Sequence, residues 1–174
     1  MTTNLQKTSR FCGIDPSTKT GFVILDEHGR VVYENEFTSK KTDPERMIDI
    51  LQQLKKHLNA KTDIVVIEGF SFNSKGRRVD FQYGLGWLIR AWLFIENIKY
   101  VDVPPKQLKK FACGNGNAKK TDMVTPVETK WGFVGRTDNI TDAYVLARIG
   151  YSAVMQTKLL NYEKKVIYDV TTKL

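Results

Sequence analysis

Residues 64–69, Ile-Val-Val-Ile-Glu-Gly, limit what this chain can fold into more than any other stretch. Four β-branched apolar residues without alternation predict a strand buried on both faces, which requires a sheet covered by helices on each side. The strand ends in a carboxylate and a glycine. Burying a lone carboxylate costs several kcal/mol unless a cation or hydrogen bonds compensate. Glu68 therefore lies just outside the sheet or holds something positive. The pattern occurs earlier too, where Phe11-Cys12-Gly13-Ile14 runs into Asp15 and Pro16. A third acid, Asp142, heads a helical stripe in which Val145, Leu146, Ile149 and Ala153 follow at i+3, i+4, i+7 and i+11. Three acids at the ends of hydrophobic elements predict a metal site.

The order of elements around these acids narrows the fold class. Phe11 to Asp15, Phe22 to Leu25 and Val31 to Phe37 read as three strands joined by short polar turns, an antiparallel meander. Asp43-Pro44-Glu45 has the cap, proline and early acid of a helix start, and apolar spacing carries that helix to Asn59. After strand four and a basic loop, Val79 to Asn97 reads as a long helix and Tyr100 to Val103 as a fifth strand. Helices are expected from Pro104-Pro105 through Phe111, and from about Lys119 to Trp131 and Asn139 to Val154. This order predicts an α/β fold of the ribonuclease H-like kind: a five-stranded mixed sheet, three strands antiparallel and then two parallel, flanked by helices. Residues 1–10 read as a loose lead, 11–154 as the folded domain and 155–174 as a polar tail of uncertain structure. A chain of 174 residues is long enough to bury about 70% of its unfolded surface in one core.

The acids select their own ligand. A carboxylate-only cluster suits a hard cation, magnesium or manganese, which prefers oxygen donors. His28 and His57 are read as solvent-exposed and outside the site. Cys12 and Cys113 are too few and too far apart for a disulfide scaffold or a zinc motif, and read as reduced thiols of a cytoplasmic protein. Lysine and arginine outnumber acids 27 to 19, a net charge of +8, which favours a polyanionic partner. Lys75, Arg77 and Arg78 follow strand four, and Lys106, Lys109, Lys110, Lys119 and Lys120 cluster later. Carboxylates, a divalent cation and a basic surface together point to phosphodiester hydrolysis. Asp138 is weighed both as a fourth ligand and as a mere cap of the helix that carries Asp142.

Four segments resemble, in order and spacing, the RuvC family of Holliday-junction resolvases, most of all its short phage-type members. They are Gly13-Ile14-Asp15-Pro16-Ser17 with Thr20-Gly21, then Ile67-Glu68-Gly69, then Lys109 to Lys120, and finally Asp142-Ala143-Tyr144-Val145-Leu146-Ala147. The resemblance spans residues 11 to 154. It implies a homodimeric, magnesium-dependent endodeoxyribonuclease that nicks opposed strands of branched DNA. Asp15, Glu68, Asp138 and Asp142 would be catalytic and metal-binding. Phe70, Phe72, Lys75, Arg77, Arg78, Lys109, Lys110, Lys119 and Lys120 would contact DNA, with Phe70 or Phe72 as an aromatic wedge. The chain departs from the family at Asn139, where an acid is common. A sugar or ATP kinase with a similar phosphate turn needs two such domains and a longer chain. A ribonuclease H-type or less selective nuclease, and a catalytically silent junction-binding module, are the remaining alternatives.

Overall fold

In chain order the elements are β1 (Arg10–Asp15), β2 (Thr20–Leu25), β3 (Val31–Phe37), α1 (Glu45–Lys55), β4 (Asp63–Glu68), α2 (Arg78–Ile95), β5 (Tyr100–Val103), α3 (Pro105–Cys113), α4 (Thr121–Trp131), α5 (Asp138–Met155) and α6 (Asn161–Thr171). The computed structural model describes residues 9–70 and 78–172, with only the backbone of Arg78. The five strands form one sheet in the order β3-β2-β1-β4-β5. β1 pairs antiparallel with β2 and β2 with β3, whereas β1–β4 and β4–β5 are parallel. This is the mixed sheet expected of the sequence, with both acid-bearing strands at its centre.

Alternation along the strands divides the core into two layers. Phe11, Val23, Leu25, Val66 and Val103 face α3, α4, α5 and α6. Cys12, Ile14, Phe22, Ile24, Val65 and Ile67 face α1 and α2. Asp15 and Glu68 share parity with the first set and so stand on the α5 face.

That face has a tight constraint. A methyl group on Gly13 would lie 1.8 Å from the Ala143 carbonyl oxygen, and one on Gly21 would lie 2.1 Å from the Asn139 carbonyl oxygen. α5 thus rests directly on the backbone of β1 and β2. Glycine is needed at both positions because the helix backbone occupies the space of a side chain.

Three local expectations differ from what is seen. Residues 155–174 contain α6, whose Val166 and Val170 are buried and whose Glu163 carboxylate meets the Lys130 ammonium at 2.9 Å. His57 is half-buried: its ring stacks 4.2 Å from that of Tyr33, and burial holds its pKa below the usual range. Asp43 does not cap α1; its carboxylate is taken by the Arg46 guanidinium at 2.7 and 2.9 Å. Among the described residues no helix is long and apolar enough to cross a membrane.

The close approach of α5 can be tested at one atom. Gly13→Ala should lower unfolding stability by about 3 kcal/mol or more, since neither backbone can yield cheaply. Urea unfolding of the metal-free protein measures it, and a loss below about 1 kcal/mol would mean that α5 has room to withdraw.

Candidate active site

The sheet register assembles the site. Ile14 pairs with Ile67, so the next step of the same parallel register sets Asp15 beside Glu68 at the carboxyl ends of the central strands. α5 then lays Asp142 over them, one residue from the Ala143 carbonyl that touches Gly13. Asp15 and Asp142 are 5% and 6% exposed, and Glu68 is half-buried.

Three carboxylates in so small a space cannot all carry charge comfortably. Burial, then the charge of Asp142, push the Asp15 carboxyl up to about 6. Glu68 is raised well above the ordinary range by burial first and by Asp15 next. The two share a hydrogen bond that raises Glu68 and lowers Asp15, so the pair holds one proton between them. Asp142 is raised by burial and eased by Lys120, whose ammonium lies 3.1 Å away. Lys109 adds a smaller favourable charge at Asp142.

Among the described residues, no three His, Cys, Asp or Glu side chains converge as a finished metal cage. Asp15 and Glu68 turn to each other, while Asp142 turns to Lys120. A proton and an ammonium thus perform the neutralisation that a cation would perform. The donor set is all oxygen, buried and over-charged, which fits a hard divalent cation. Asp15, Glu68 and Asp142 are the residues that would hold it.

The other residues expected at the site divide. Asp138 is exposed at the first position of α5, with Thr137 rather than Asp138 as the cap, its hydroxyl accepting from the Ile140 amide at 3.3 Å. The charge of Asp138 is still felt at Asp142 and Lys120. Lys109 and Lys120 face the acids, Lys119 is exposed, and Lys110 acts on Asp169 of α6 instead. Phe70 is not free. Its ring stacks on Tyr83 at 4.7 Å and lies 5.2 Å from Trp87, with the Arg90 guanidinium 4.4 Å above it. Arg90, buried, also donates to the Glu68 and Gly86 carbonyls and to the Asp102 carboxylate. Phe72, Lys75, Arg77 and the side chain of Arg78 lie outside the described residues.

Further side chains lie around the turn that follows Asp15. A polar groove of about 660 Å³ is lined there by Ser17, Lys19, Arg46, Gln82 and Asn139. Glu36 of β3 also adds negative charge at Asp15. The only sequence signal for Glu36 was its odd-numbered spacing from inward Phe37 on an amphipathic strand, which places it on the α5 face.

Two predictions follow from this geometry. The folded state holds the Asp15 proton more tightly than the unfolded chain does. The metal-free protein is therefore most stable below about pH 4 with respect to this group, and loses that stability as pH rises through about 6. Asp15→Asn removes the charge, so at pH 7–8 the metal-free variant should exceed wild type by on the order of 2–3 kcal/mol, with the gap closing near pH 4. Denaturant unfolding across that range checks it; a gap that grows toward acid would reverse the assignment. Phe70→Ala should cost about 2–4 kcal/mol, because its ring is an anchor for α2, and the same unfolding measurement checks it.

No protein-family model matches the chain. Crossover junction endodeoxyribonuclease RuvC of Synechococcus sp. (strain WH7803) is 26% identical over 151 residues, covering 82% of this chain and 97% of that protein. RuvC of Parasynechococcus marenigrum (strain WH8102) is 25% identical with the same coverage. Thermus thermophilus RuvC superposes with a TM-score of 0.66 at 19% identity, over 85% of this chain and 97% of that one. The same protein in complex with Holliday junction substrate gives 0.60 at 21% identity, over 86% and 97%. The structural likeness establishes the ribonuclease H-like fold. By sequence and by fold, the chain is similar to the RuvC crossover junction endodeoxyribonucleases.

Proposed function

We propose that the protein is a structure-selective DNA endonuclease that resolves four-way junctions by paired nicks, using magnesium, or manganese in its place. The observation that carries this reading is the buried cluster of Asp15, Glu68 and Asp142, held at the carboxyl ends of two central strands beside Lys109 and Lys120. Bound there, divalent cations would neutralise the attacking and leaving oxygens of a phosphodiester and acidify water. The chain's own residues do the rest. Asp15, Glu68 and Asp142 supply the oxygen donors, giving up the shared proton. Lys120, released from Asp142, turns to the phosphate, and Lys109 stands behind it. The groove with Lys19 and Arg46 takes the flanking backbone, since such contacts position any duplex without reading sequence. Asp138, exposed one turn before Asp142, is proposed as an outer acid of the site.

Selectivity for a branch needs something beyond phosphate contact. An aromatic side chain inserted at an unstacked step would serve, at a cost of a few kcal/mol per step. With Phe70 anchored against Tyr83 and Trp87, Phe72 is the better candidate for that wedge, flanked by Lys75, Arg77 and Arg78. Phe72→Ala should slow junction cleavage with stability within about 1 kcal/mol of wild type, far below the loss for a core phenylalanine. A large stability loss without a junction-specific defect would remove the wedge.

Two opposed nicks call for two sites related by a two-fold axis, and hence for a homodimer. The outward face of α2 supports it. Trp87, Phe94 and Ile95 are 60%, 77% and 71% exposed there, a large apolar face for a chain to leave in water. The test uses four-way, three-way, linear-duplex and RNA–DNA hybrid substrates with magnesium or EDTA. The expected result is symmetric nicking of the four-way junction, dependent on magnesium. Asp15→Asn, Glu68→Gln or Asp142→Asn should abolish it while DNA binding persists. Near wild-type cutting by any amide variant would remove that residue from the site, and faster hybrid cleavage would favour a ribonuclease H. Sedimentation equilibrium should return about twice the chain mass; a monomer that cuts junctions fully would sink the dimer.

A further inference from the structure

Register across three strands places a fourth acid on the active face. Asp15 pairs with Gly21, and Gly21 pairs with Glu36. Direct partners project to the same side of a sheet, so Asp15 and Glu36 point the same way with only a glycine between them. At about 4.8 Å per strand their backbones are about 10 Å apart, a span two carboxylates can share through one intervening group. The lane above Gly21 is roofed by the Asn139 backbone. Glu36 is held from that roof: its Oε1 accepts from Asn139 Nδ2 at 2.9 Å and from Thr137 Oγ1 at 2.6 Å. Asn139 lies three residues before Asp142 on α5 and also lines the polar groove that holds Ser17 and Lys19.

A tether for the start of α5 would not need a charge here. Glutamine could accept the same two bonds at Oε1 without adding negative charge to the acids already crowded at Asp15. The carboxylate makes sense where a cation is to be shared. We propose that Glu36 is the fourth acid of the site, supplied by β3 and held in place by Asn139, so that the charge an acid on α5 would bring is delivered from the neighbouring strand. Glu36 strengthens the hold of Asp15, Glu68 and Asp142 on a divalent cation. The inference rests on the divalent-cation reading of that cluster.

The experiment is a calorimetric titration of manganese ion into the full chain at pH 7.5 without DNA, beside metal-free melting. Glu36→Gln keeps both hydrogen bonds and removes only charge, so its metal-free melting should match or slightly exceed wild type. Its manganese affinity should fall about tenfold. Adding Asn139→Asp returns the charge on α5, where the new carboxylate accepts from the new amide on β3, and should restore affinity. Asp15→Asn is the control. If it binds manganese like wild type, the cation reading itself fails. If it loses binding while Glu36→Gln titrates like wild type, Glu36 is only a tether and the proposal is overturned. A double variant as weak as Glu36→Gln would overturn it as well, because the charge would then not be interchangeable between strand and helix.

Discussion

The structure depends on one unfavourable interaction: the repulsion among Asp15, Glu68 and Asp142, which the fold forces into a common, poorly hydrated space. Nothing local brings these acids together. Parallel pairing of β1 with β4 aligns two of them. The third is pressed onto them because α5 sits on bare backbone at Gly13 and Gly21. Like charges so placed raise one another's pKa values unless something positive arrives. In the metal-free chain that neutralisation comes from a proton shared by Asp15 and Glu68 and from Lys120. Packing of α5 against the sheet, a hydrophobic matter, is what holds the charges in place.

From that constraint the rest of the active face follows. The residues that oppose the repulsion are basic: Lys120 pairs with Asp142 and Lys109 adds a smaller favourable charge there. Residues that must not move are buried and multiply bonded. Arg90 is the clearest case, joining the end of β4, the strand β5 and the ring of Phe70 through one guanidinium. The loop that leaves Glu68 is thus anchored at its first aromatic residue. The apolar side of α2 beyond it, with Trp87 and Phe94, is left toward solvent.

Much of this was legible in the sequence for physical reasons. A run such as Ile64 to Ile67 has few alternatives to a doubly covered strand, and parallel register then sets the acids at the ends of two such strands side by side. The helical spacing from Asp142 to Ile149 read as one buried face, whereas α5 is buried on nearly every side from Ile140 to Ala147. What could not be read was anything that depends on partners distant in sequence. Asp43, by contrast, was lost to a local competitor: it looked like a cap, but Arg46 three residues on claims its carboxylate. α6 looked like a polar tail because its few apolar residues, Val166 and Val170, are buried by α3 and α5 rather than by their own neighbours. Phe70 gave no sign of Tyr83 and Trp87, and Glu36 gave no sign of Asn139, since both contacts are products of tertiary register. Gly13 and Gly21 were noticed as parts of a motif; their reason, helix backbone within van der Waals reach, belongs to the structure alone.

The central claim is that the acid cluster is destabilised at neutral pH until a divalent cation relieves it. A melting series with and without manganese, from pH 4.5 to 8, tests this most directly, because a ligand that binds only the folded state raises its stability. The account predicts a rise in Tm on adding manganese at pH 7–8 that fades as pH falls through about 6, where Asp15 regains its proton. A Tm indifferent to manganese at pH 8, or a gain as large at pH 4.5, would contradict it.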